Sequence, residues 1–494
     1  MSSSTVVIGA GPAGLTAGLE LGRRGVPAEI FEQDRLVGGI SRTVEYRGFR
    51  FDIGGHRLYT KAPEVEALWH DLLGDELLVR QRLSRILYRG RLFDYPLKPV
   101  NALVGLGPWE AVRIAASYAR ARLRPHAEEE TFEQWVVNRF GRRLYQIFFE
   151  TYTEKVWGIP PSRIGAEWAA QRIKNLDLVT AVRNALFGGG GRSGEVVTTL
   201  IDRFLYPRLG PGQLWDACRQ RAAEVGVPTH TGVRVTAVQH AGGRAHAVRT
   251  RRIAGGGEER RPVDRVISSM PLSSLVQCLD PPPPAAVLEA ARRLRYRDFL
   301  TVVLIIDRAE LFPDNWIYVH DPEVRVGRVQ NFKNWSPDLV PDPSLTSLGL
   351  EYFVDRTGEL WRAPEEELLA LGEAESRRLG LLDGARVVDG TVVRMPRAYP
   401  VYDRGYAGVV AVLRRYLESF SNLACIGRNG QHRYNNQDHS MLTGLLAARN
   451  RDGADHELWD VNLEEKYLEA GEANTAPAAG DRRVPMTVAM EGEG

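Results

Sequence analysis

The sequence predicts an α/β fold in which a discontinuous Rossmann-like domain is combined with a helical domain and an antiparallel sheet domain. Three observations support this fold class. The chain opens with an apolar strand and a glycine turn, VVIGAGPAG. Residues 100–185 show helical periodicity with few turn signals. FLTVVLIID, from Phe299 to Asp307, is typical of a buried strand, and SLGLEYFVD is its expected neighbour.

The composition indicates an ordinary globular protein of two or three domains. The chain has 494 residues and a formal net charge of +2, from 64 basic and 62 acidic residues, so no overall field favours nucleic acid. Three cysteines without CxxC spacing favour reduced thiols and a cytoplasmic protein. The first apolar run holds the glycine turn and therefore predicts a strand, not a signal peptide. We find no apolar run of about 20 residues that would predict a membrane span.

The opening glycines predict a dinucleotide site. Gly9, Gly11 and Gly14 fit G-x-G-x-x-G: the first permits the tight turn, the second lets the backbone approach a pyrophosphate, and the third lets helix and strand pack closely. The pyrophosphate would lie at the helix N-terminus, where free N–H groups favour anions. Glu32 ends the next strand, where an acid accepts hydrogen bonds from a ribose diol.

Three further segments select the flavin. EQDRLVGGISRT and RFDIGGH, which follow the first motif, resemble segments of FAD-binding flavoproteins with two dinucleotide-binding motifs. NLACIGRNGQ resembles the last FAD strand of that group, with Arg428 in place of its usual aspartate. The resemblance implies FAD as the cofactor. It assigns to FAD the residues Gly9, Gly11, Gly14, Glu32, Gln33, Gly38, Gly39, Ser41, Arg42, Gly55, His56, Val235, Gly427, Arg428, Asn436, Gln437, Asp438 and Met441.

YTEKVWG and the Gly-Arg ending of that last strand resemble the UDP-galactopyranose mutases and their relatives, which convert nucleotide-sugar pyranoses to furanoses. GGHRLYT, DYPLKP, LRYRDF and GRNGQHRYNNQD resemble four more motifs of the group, in the same order. The chain departs from the pattern at His432 and Asn435, where the mutases have tyrosines, and GGH replaces their GPH. These differences indicate a remote branch.

The resemblance implies a reaction without net redox change. N5 of reduced FAD attacks the anomeric carbon of a UDP- or GDP-linked hexose and displaces the nucleoside diphosphate, and a reductant or NAD(P)H charges the flavin. Guanidinium groups suit a departing diphosphate because their forked donors oppose its growing charge. The residues implied for catalysis are His56, Arg297 and Arg428, and those implied for substrate binding are Tyr152, Trp157, Arg172 and Tyr434.

Tyr152 and Trp157 can both contact one substrate only if the helix geometry lets them face the same pocket. Five residues on a continuous helix lie about 140° apart, so both can face one pocket only if the helix ends between them. Pro160 and Pro161 mark the expected end of this helical stretch. The remaining histidines lack metal-ligand spacing, and we expect no metal site.

Two other functions stay open at this stage. The first is a redox flavoenzyme of the amine oxidase, protoporphyrinogen oxidase or desaturase type, which shares the FAD domain but needs an apolar pocket and an electron acceptor. The second is a non-catalytic flavin-binding or sugar-binding protein. The sequence names neither the nucleobase nor the hexose, and it does not decide whether the chain forms a homo-oligomer.

The expected domains follow from these assignments. We expect the FAD-binding domain at 1–80, 205–290 and 415–465, the substrate sheet domain at 81–99 and 291–414, the helical domain at 100–204, and a disordered tail at 466–494. The glycine-rich stretch 187–195 within the helical domain is expected to form a flexible loop or lid. Residues 229–250 are expected to form a β-hairpin, because AGG separates two strand-like stretches, THTGVRVTAVQH and RAHAVRT.

Overall fold

The computed structural model describes residues 4–95, 97, 99–166 and 202–462. Arg172, the glycine-rich stretch 187–195 and the tail 466–494 lie outside the described residues, and the expectations for them stay predictions.

The described strands fall into two large sheets and two short ribbons. They are β1 (Ser4–Ile8), β2 (Ala28–Glu32), β3 (Thr43–Tyr46), β4 (Phe49–Asp52), β5 (Leu77–Gln81), β6 (Ser84–Tyr88), β7 (Arg91–Asp94), β8 (Arg203–Pro207), β9 (Thr229–Thr231), β10 (Val233–Ala241), β11 (Arg244–Arg252), β12 (Glu258–Ser268), β13 (Leu279–Asp280), β14 (Tyr296–Ile306), β15 (Trp316–Val319), β16 (Arg328–Asn331), β17 (Thr346–Val354), β18 (Val387–Pro400) and β19 (Leu423–Cys425).

The α-helices pack on the sheets or form a separate helical region. They are α1 (Pro12–Arg23), α2 (Pro63–Leu73), α3 (Pro99–Leu106), α4 (Pro108–Leu123), α5 (Phe132–Tyr145), α6 (Thr151–Trp157), α7 (Pro211–Glu224), α8 (Leu272–Gln277), α9 (Ala285–Arg293), α10 (Phe332–Trp335), α11 (Glu359–Arg362), α12 (Glu365–Arg378), α13 (Tyr406–Leu417), α14 (Gly427–Gly430) and α15 (Gln437–Arg449).

The first sheet has the parallel core that the opening motif predicts. β12, β1, β2 and β9 are neighbours in that order and run parallel, and β19 adds to β12 in the same sense. The hairpin β10–β11 extends this sheet, as predicted from the sequence around 229–250. Strands from the two ends of the chain and from its middle therefore meet in one sheet, which confirms a discontinuous Rossmann-like domain.

The second sheet has seven strands in the order β18, β14, β17, β16, β15, β6, β7. The prediction of a buried β14 paired with β17 is confirmed, since the two run antiparallel from Asp298 opposite Val354 to Ile306 opposite Thr346. The sheet is antiparallel except at one joint. There β6 and β15 run parallel, from Ser84 opposite Trp316 to Leu87 opposite Val319.

The helical stretch before Pro160 is interrupted rather than continuous. Gly141 has φ of +77° and kinks α5, and residues 146–150 form a π-helical turn before α6. α6 itself runs unbroken through Tyr152 and Trp157 and ends at Gly158 in the left-handed region. The condition under which both aromatic side chains would face one pocket is therefore not met.

The packing of α1 against α15 depends on a glycine. A Cβ built on Gly444 would lie 2.3 Å from the carbonyl oxygen of Ala13, so the two helix backbones are in direct contact. A side chain at Gly444 would meet backbone atoms of α1, which cannot move aside as a flexible side chain could. By contrast, a Cβ on Gly408 in α13 would meet nothing within 4 Å.

We expect Gly444→Ala to lower the free energy of unfolding by about 1–3 kcal/mol, because the methyl group forces the helices apart. Gly408→Ala is the matched control and should be neutral or stabilising, since alanine is the better helix former. Urea unfolding followed by circular dichroism measures both. Equal stability of the two variants would contradict the packing described here.

Candidate functional site

The turn after β1 is shaped for an anionic ligand. Gly9 has φ of +97°, and a Cβ on Gly14 would lie only 1.9 Å from the carbonyl oxygen of Gly9. No side chain caps the N-terminus of α1 at Gly11, and its first turn holds no acidic residue. The free N–H groups of this turn are therefore available to a phosphate.

The second glycine segment is fixed against the first. Gly38 N–H donates to the carbonyl of Ala10 at 2.8 Å, and Ser41 Oγ donates to the carbonyl of Gly38 at 2.9 Å. A Cβ on Gly39 would lie 3.4 Å from Cα of Gly11, so the two backbones face each other closely. Arg42 lies alongside and forms an ion pair with Asp34 at 2.8 Å.

The acid at the end of β2 is already held by backbone donors. Glu32 Oε2 accepts from Ala10 N–H at 2.8 Å, and its Oε1 accepts from Asp34 N–H at 2.9 Å. Burial raises the pKa of this carboxyl. Beyond it, Gln33 Oε1 accepts from Arg234 Nε at 3.1 Å. Val235, which follows Arg234 in β10, is buried. The predicted FAD residues Glu32, Gln33 and Val235 therefore lie near one another.

The last glycine segment closes the same region from the other end of the chain. A Cβ on Gly427 would lie 2.9 Å from the Cβ of Ala13 in α1. Asn436 caps the N-terminus of α15. The buried Gln437 Oε1 lacks a hydrogen-bond partner in the described part of the chain, whereas Asp438 Oδ1 lies 3.4 Å from Nδ1 of His439. Met441 is fully buried, and its sulfur accepts from the indole N–H of Trp69 at 3.1 Å.

These features fit an FAD molecule. Glycine backbone from three segments surrounds the uncapped N-terminus of α1, and an acid stands at the end of β2. The unpaired Oε1 of Gln437 at the start of α15 supplies further hydrogen-bonding capacity, and buried polar atoms of this kind ordinarily have partners. The chain's own residues would hold the diphosphate through backbone N–H groups and the ribose through Glu32.

A cavity of about 120 Å³ adjoins these segments. Predicted site residues along its wall are Gly55, His56, Arg428, Tyr434, Asn436, Gln437 and Asp438. The cavity residues that the sequence analysis missed are Arg57, Tyr59, Trp69, Trp316, Tyr318, Arg328, Gln330, Trp335 and Tyr399. The structure thus brings the RFDIGGH segment and the last predicted FAD segment together with one face of the second sheet.

Arg428 is held between two tyrosine rings at this cavity. Its guanidinium carbon lies 5.3 Å from the ring centre of Tyr399 and 5.0 Å from that of Tyr434. Its Nε donates to the carbonyl of Asn435 at 2.8 Å. No hydrogen-bond acceptor among the described residues meets its two terminal nitrogens. The hydrogen bond at Nε and the two tyrosine rings orient the Arg428 side chain, and its two terminal nitrogens remain available to a ligand.

A second guanidinium enters the cavity from β16. Arg328 lies opposite Glu351 of β17, and the two side chains form a buried ion pair. Gln330 Nε2 donates to the same carboxylate at 2.8 Å, while its buried Oε1 is unpaired within the described ranges. Burial alone would lower the pKa of Arg328, but the carboxylate of Glu351 raises it well above the ordinary value.

One sequence signal could have found this group. Arg328 and Gln330 alternate with apolar residues on a strand, so they share one face. A charged residue and an amide on a buried strand need buried partners, and Glu351 is the acid on the neighbouring apolar strand.

His56 lies in the turn that follows β4, and it lines the cavity. Its Nε2 donates to the carbonyl of Ile53 at 2.8 Å. Burial lowers its pKa to about 4, so the ring is neutral near pH 7. Its own carbonyl accepts from Gln437 Nε2 at 3.4 Å. The glycine before it lies close to β16 and α10, since a Cβ on Gly55 would lie 3.0 Å from Gln330 Nε2 and 3.3 Å from the ring of Trp335.

Three residues predicted to bind substrate or take part in catalysis do not line this cavity: Arg297, Trp157 and Tyr152. Arg297 donates from Nε to the carbonyl of Val156 at 3.3 Å and from Nη2 to that of Phe353, so it ties α6 to the second sheet. Trp157 is buried and packs edge-on against Tyr402 at 5.5 Å. The catalytic role of Arg297 and the binding role of Trp157 stay predictions.

Tyr152 lies one layer behind the cavity. Its ring stacks on that of His320 at 4.7 Å with an interplanar angle of 6°. It also meets the edge of Tyr318, a cavity residue, at 5.6 Å. Tyr152 therefore supports a cavity wall in the structure, and direct contact with a substrate stays a prediction.

The sequence profile of the family described as flavin containing amine oxidoreductase matches residues 12–381. The chain belongs to this family. As a flavin-containing amine oxidoreductase family member it uses FAD, which confirms the predicted cofactor, and the family relationship also confirms the predicted fold class.

Curated relatives of this family member match only in part. Protoporphyrinogen oxidase 2 of Arabidopsis thaliana is 24% identical over 212 residues, which cover 38% of this chain and 40% of that protein. A probable UDP-galactopyranose mutase of Klebsiella pneumoniae is 25% identical over 175 residues, which cover 33% and 44%. The chain thus spans less than half the length of these relatives.

Solved structures resemble the family member over most of its length. A reduced UDP-galactopyranose mutase superposes with a TM-score of 0.80 at 22% identity, covering 95% of this chain and 97% of that one. A putative protoporphyrinogen oxidase from Exiguobacterium sp. 255-15 gives 0.66 at 18% identity, covering 91% and 99%. At these identities the likeness concerns the fold. It confirms the resemblance to the mutases and to the oxidase relatives that share their FAD domain.

The described residues offer neither a metal site nor a membrane-spanning helix. They contain no group of three or more His, Cys, Asp or Glu side chains placed to hold a metal ion. Among their helices, none combines the length and the apolar character required to cross a bilayer.

A buried carboxyl lies next to the turn that carries His56. Asp52 accepts from Tyr206 Oη at 2.5 Å and from Thr43 Oγ1 at 3.0 Å. Burial raises its pKa from 3.8 to about 7, so the folded protein holds this proton more tightly than the unfolded chain. Its stabilising contribution is fully present below pH 4 and is lost as the pH rises to about 7.

We therefore expect Asp52→Asn, which mimics the neutral carboxyl, to gain stability over the natural chain as the pH rises from 5 to 8. The difference in free energy of unfolding should grow by roughly 2–4 kcal/mol, given 1.36 kcal/mol for each pKa unit. Urea unfolding at both pH values measures it, with the exposed Asp75→Asn as surface control. A difference that does not change with pH would contradict a neutral Asp52.

Proposed function

We propose that this family member is an FAD-dependent mutase that interconverts the pyranose and furanose forms of a UDP- or GDP-linked hexose. The observation that carries the proposal is the pair of guanidinium groups, Arg328 and Arg428, that line one cavity together with His56, a residue predicted to contact FAD. Reduced FAD, when bound, supplies a nucleophile for the sugar carbon. The chain's own residues must then bind the nucleotide and stabilise its diphosphate as it departs.

The arrangement of Arg428 suits that second task. The flanking rings of Tyr399 and Tyr434 hold its plane, so little side-chain entropy is lost when a diphosphate binds. The terminal nitrogens form a fork that matches two phosphate oxygens. Donors fixed in advance stabilise developing charge without reorganisation, and this is where electrostatic catalysis gains most.

Aromatic side chains offer a surface for the nucleobase or the sugar. Trp316 and Trp335 stack with ring centres 5.2 Å apart, and both line the cavity. Tyr318 lies next to Trp316 at 6.3 Å. Flat rings with a polar edge suit a ligand that is aromatic at one end and hydroxylated at the other.

A redox enzyme of the amine oxidase or protoporphyrinogen oxidase type is the second candidate, and the family profile favours it. That chemistry needs an apolar pocket for an amine or a hydrocarbon. Among the described residues, no aliphatic side chain contributes to the cavity wall, whereas three arginines do: Arg57, Arg328 and Arg428. The wall is therefore better suited to a charged, hydroxylated substrate.

One experiment separates the two candidates. The purified flavoprotein, reduced with dithionite under argon, is incubated with UDP-hexoses and GDP-hexoses, and an oxidised sample serves as control. We expect furanose formation, detected by anion-exchange chromatography, only in the reduced sample. Amine turnover with peroxide release, together with no furanose from any nucleotide sugar, would overturn the proposal.

We further expect Arg428→Lys to lower kcat/KM for the nucleotide sugar by about 100-fold, because lysine keeps the charge but cannot offer two fixed donors to the leaving diphosphate. Arg386→Lys, at a highly exposed position, is the matched control and should leave kcat/KM unchanged. Flavin absorbance of both variants reports cofactor content. An unaltered kcat/KM in Arg428→Lys with full flavin content would remove Arg428 from catalysis.

A further inference from the structure

The helix α4 carries an exposed apolar stripe, which is unusual for a helix that already has a buried face. Trp109, Val112 and Leu123 are 74%, 60% and 82% exposed. With the exposed Ala116 and Ala119 they recur at alternating spacings of three and four residues. This spacing puts all five side chains along one side of the helix.

The opposite side of α4 is firmly packed, so the stripe cannot turn inward. Ile114 and Ala121 are buried. A Cβ on Gly141 would lie 2.8 Å from the backbone of Tyr118, which shows direct contact between α4 and α5. Arg143 of α5 forms an ion pair with Glu110 at 2.7 Å. These contacts fix the rotation of α4 and hold its apolar stripe toward the outside.

The charges beside the stripe are basic. α4 holds Arg113, Arg120 and Arg122, all exposed, and Arg124 follows directly. Glu110 is the single acidic residue in the sequence of α3 and α4, and it is paired with Arg113 and Arg143. An apolar stripe with an aromatic residue at one end and arginines at its sides is typical of helices that lie in the plane of an anionic membrane surface.

We propose that α4 is a peripheral membrane-binding element that inserts Trp109, Val112 and Leu123 into the interface of a bilayer containing anionic lipids. Arg113, Arg120 and Arg122 would contact the lipid phosphates, as arginines at the edge of an interfacial helix do. The helix has 16 residues and a length of about 24 Å, so it lies on the bilayer and does not cross it.

A second copy of the chain fits this stripe less well. An antiparallel pairing of two α4 helices centred on Ala116 would match Trp109 of one copy with Leu123 of the other. The same pairing would bring Arg113 of one copy beside Arg120 of the other, and like charges in direct apposition are unfavourable. An anionic surface meets the same arginines with opposite charge. Charge complementarity therefore favours lipid over self-association.

The test is co-sedimentation of the full-length flavoprotein with two kinds of vesicle, one of phosphatidylcholine alone and one of phosphatidylcholine mixed with phosphatidylglycerol. We expect binding to the mixed vesicles that weakens as salt is raised. Trp109→Ser with Leu123→Ser should lower the partition coefficient at least about tenfold through lost apolar burial. Arg113→Gln and Arg120→Gln should each lower it roughly fivefold.

Two controls keep the outcome specific. Val79→Ser with Val388→Ser changes residues that are 63% and 49% exposed elsewhere on the molecule, and it should leave vesicle binding unchanged. Brominated phospholipids should quench a component of tryptophan emission that Trp109→Phe removes. Circular dichroism and flavin absorbance show that each variant is folded.

The proposal is overturned if the natural chain does not bind the mixed vesicles, or if the control pair weakens binding as much as the stripe variant. Sedimentation velocity supplies the remaining outcome. A dimer that the stripe variant converts to monomer, with no vesicle binding by the natural chain, would assign α4 to self-association.

Discussion

Close contact between backbones from distant parts of the chain is the constraint on which this structure depends. Gly38 is hydrogen-bonded to Ala10, and Gly427 and Gly444 both lie against Ala13. At Gly427 and Gly444 an added Cβ would collide with Ala13. At Gly38 the contact is a hydrogen bond between main-chain atoms. The predicted FAD segments near residues 10, 40 and 430 meet through these contacts, and the turn bearing His56 lines the cavity.

The buried ion pair between Arg328 and Glu351 raises a separate question, namely what offsets the cost of burying two charges. Removing two charges from water is costly, and a well-packed apolar pair would often be as stable. The pair is therefore poorly explained by stability alone. Its position on the cavity wall, with Gln330 satisfying the remaining carboxylate oxygen, keeps a guanidinium in place at a low-dielectric surface. Arg428 differs, because tyrosine rings rather than a carboxylate orient it, and no carboxylate among the described residues forms an ion pair with it.

The sequence predicted the features that local chemistry determines. The glycine turn, the acid at the end of β2, the hairpin β10–β11 and the pairing of β14 with β17 all follow from residue type and spacing. Strand register across the second sheet does not, because it depends on contacts between segments far apart in sequence. For that reason Arg328 and its partner Glu351 were missed, and so was the parallel joint between β6 and β15. The π-helical turn before α6 was also not predictable from periodicity, since one inserted residue redirects every later side chain.

The unbroken course of α6 explains the different positions of the two aromatic residues in YTEKVWG. Because α6 is continuous, Tyr152 points toward His320 and Tyr318, and Trp157 points toward Tyr402. Between them, Lys155 donates to the carbonyls of Val319, Asp321 and Val326 at 2.7–3.2 Å, which uses all three protons of its ammonium. Burial lowers its pKa to about 8. The lysine therefore fixes the connection between β15 and β16, the two strands that present Tyr318 and Arg328 to the cavity. In this structure the motif supports the cavity wall, and substrate binding by Tyr152 and Trp157 stays a prediction.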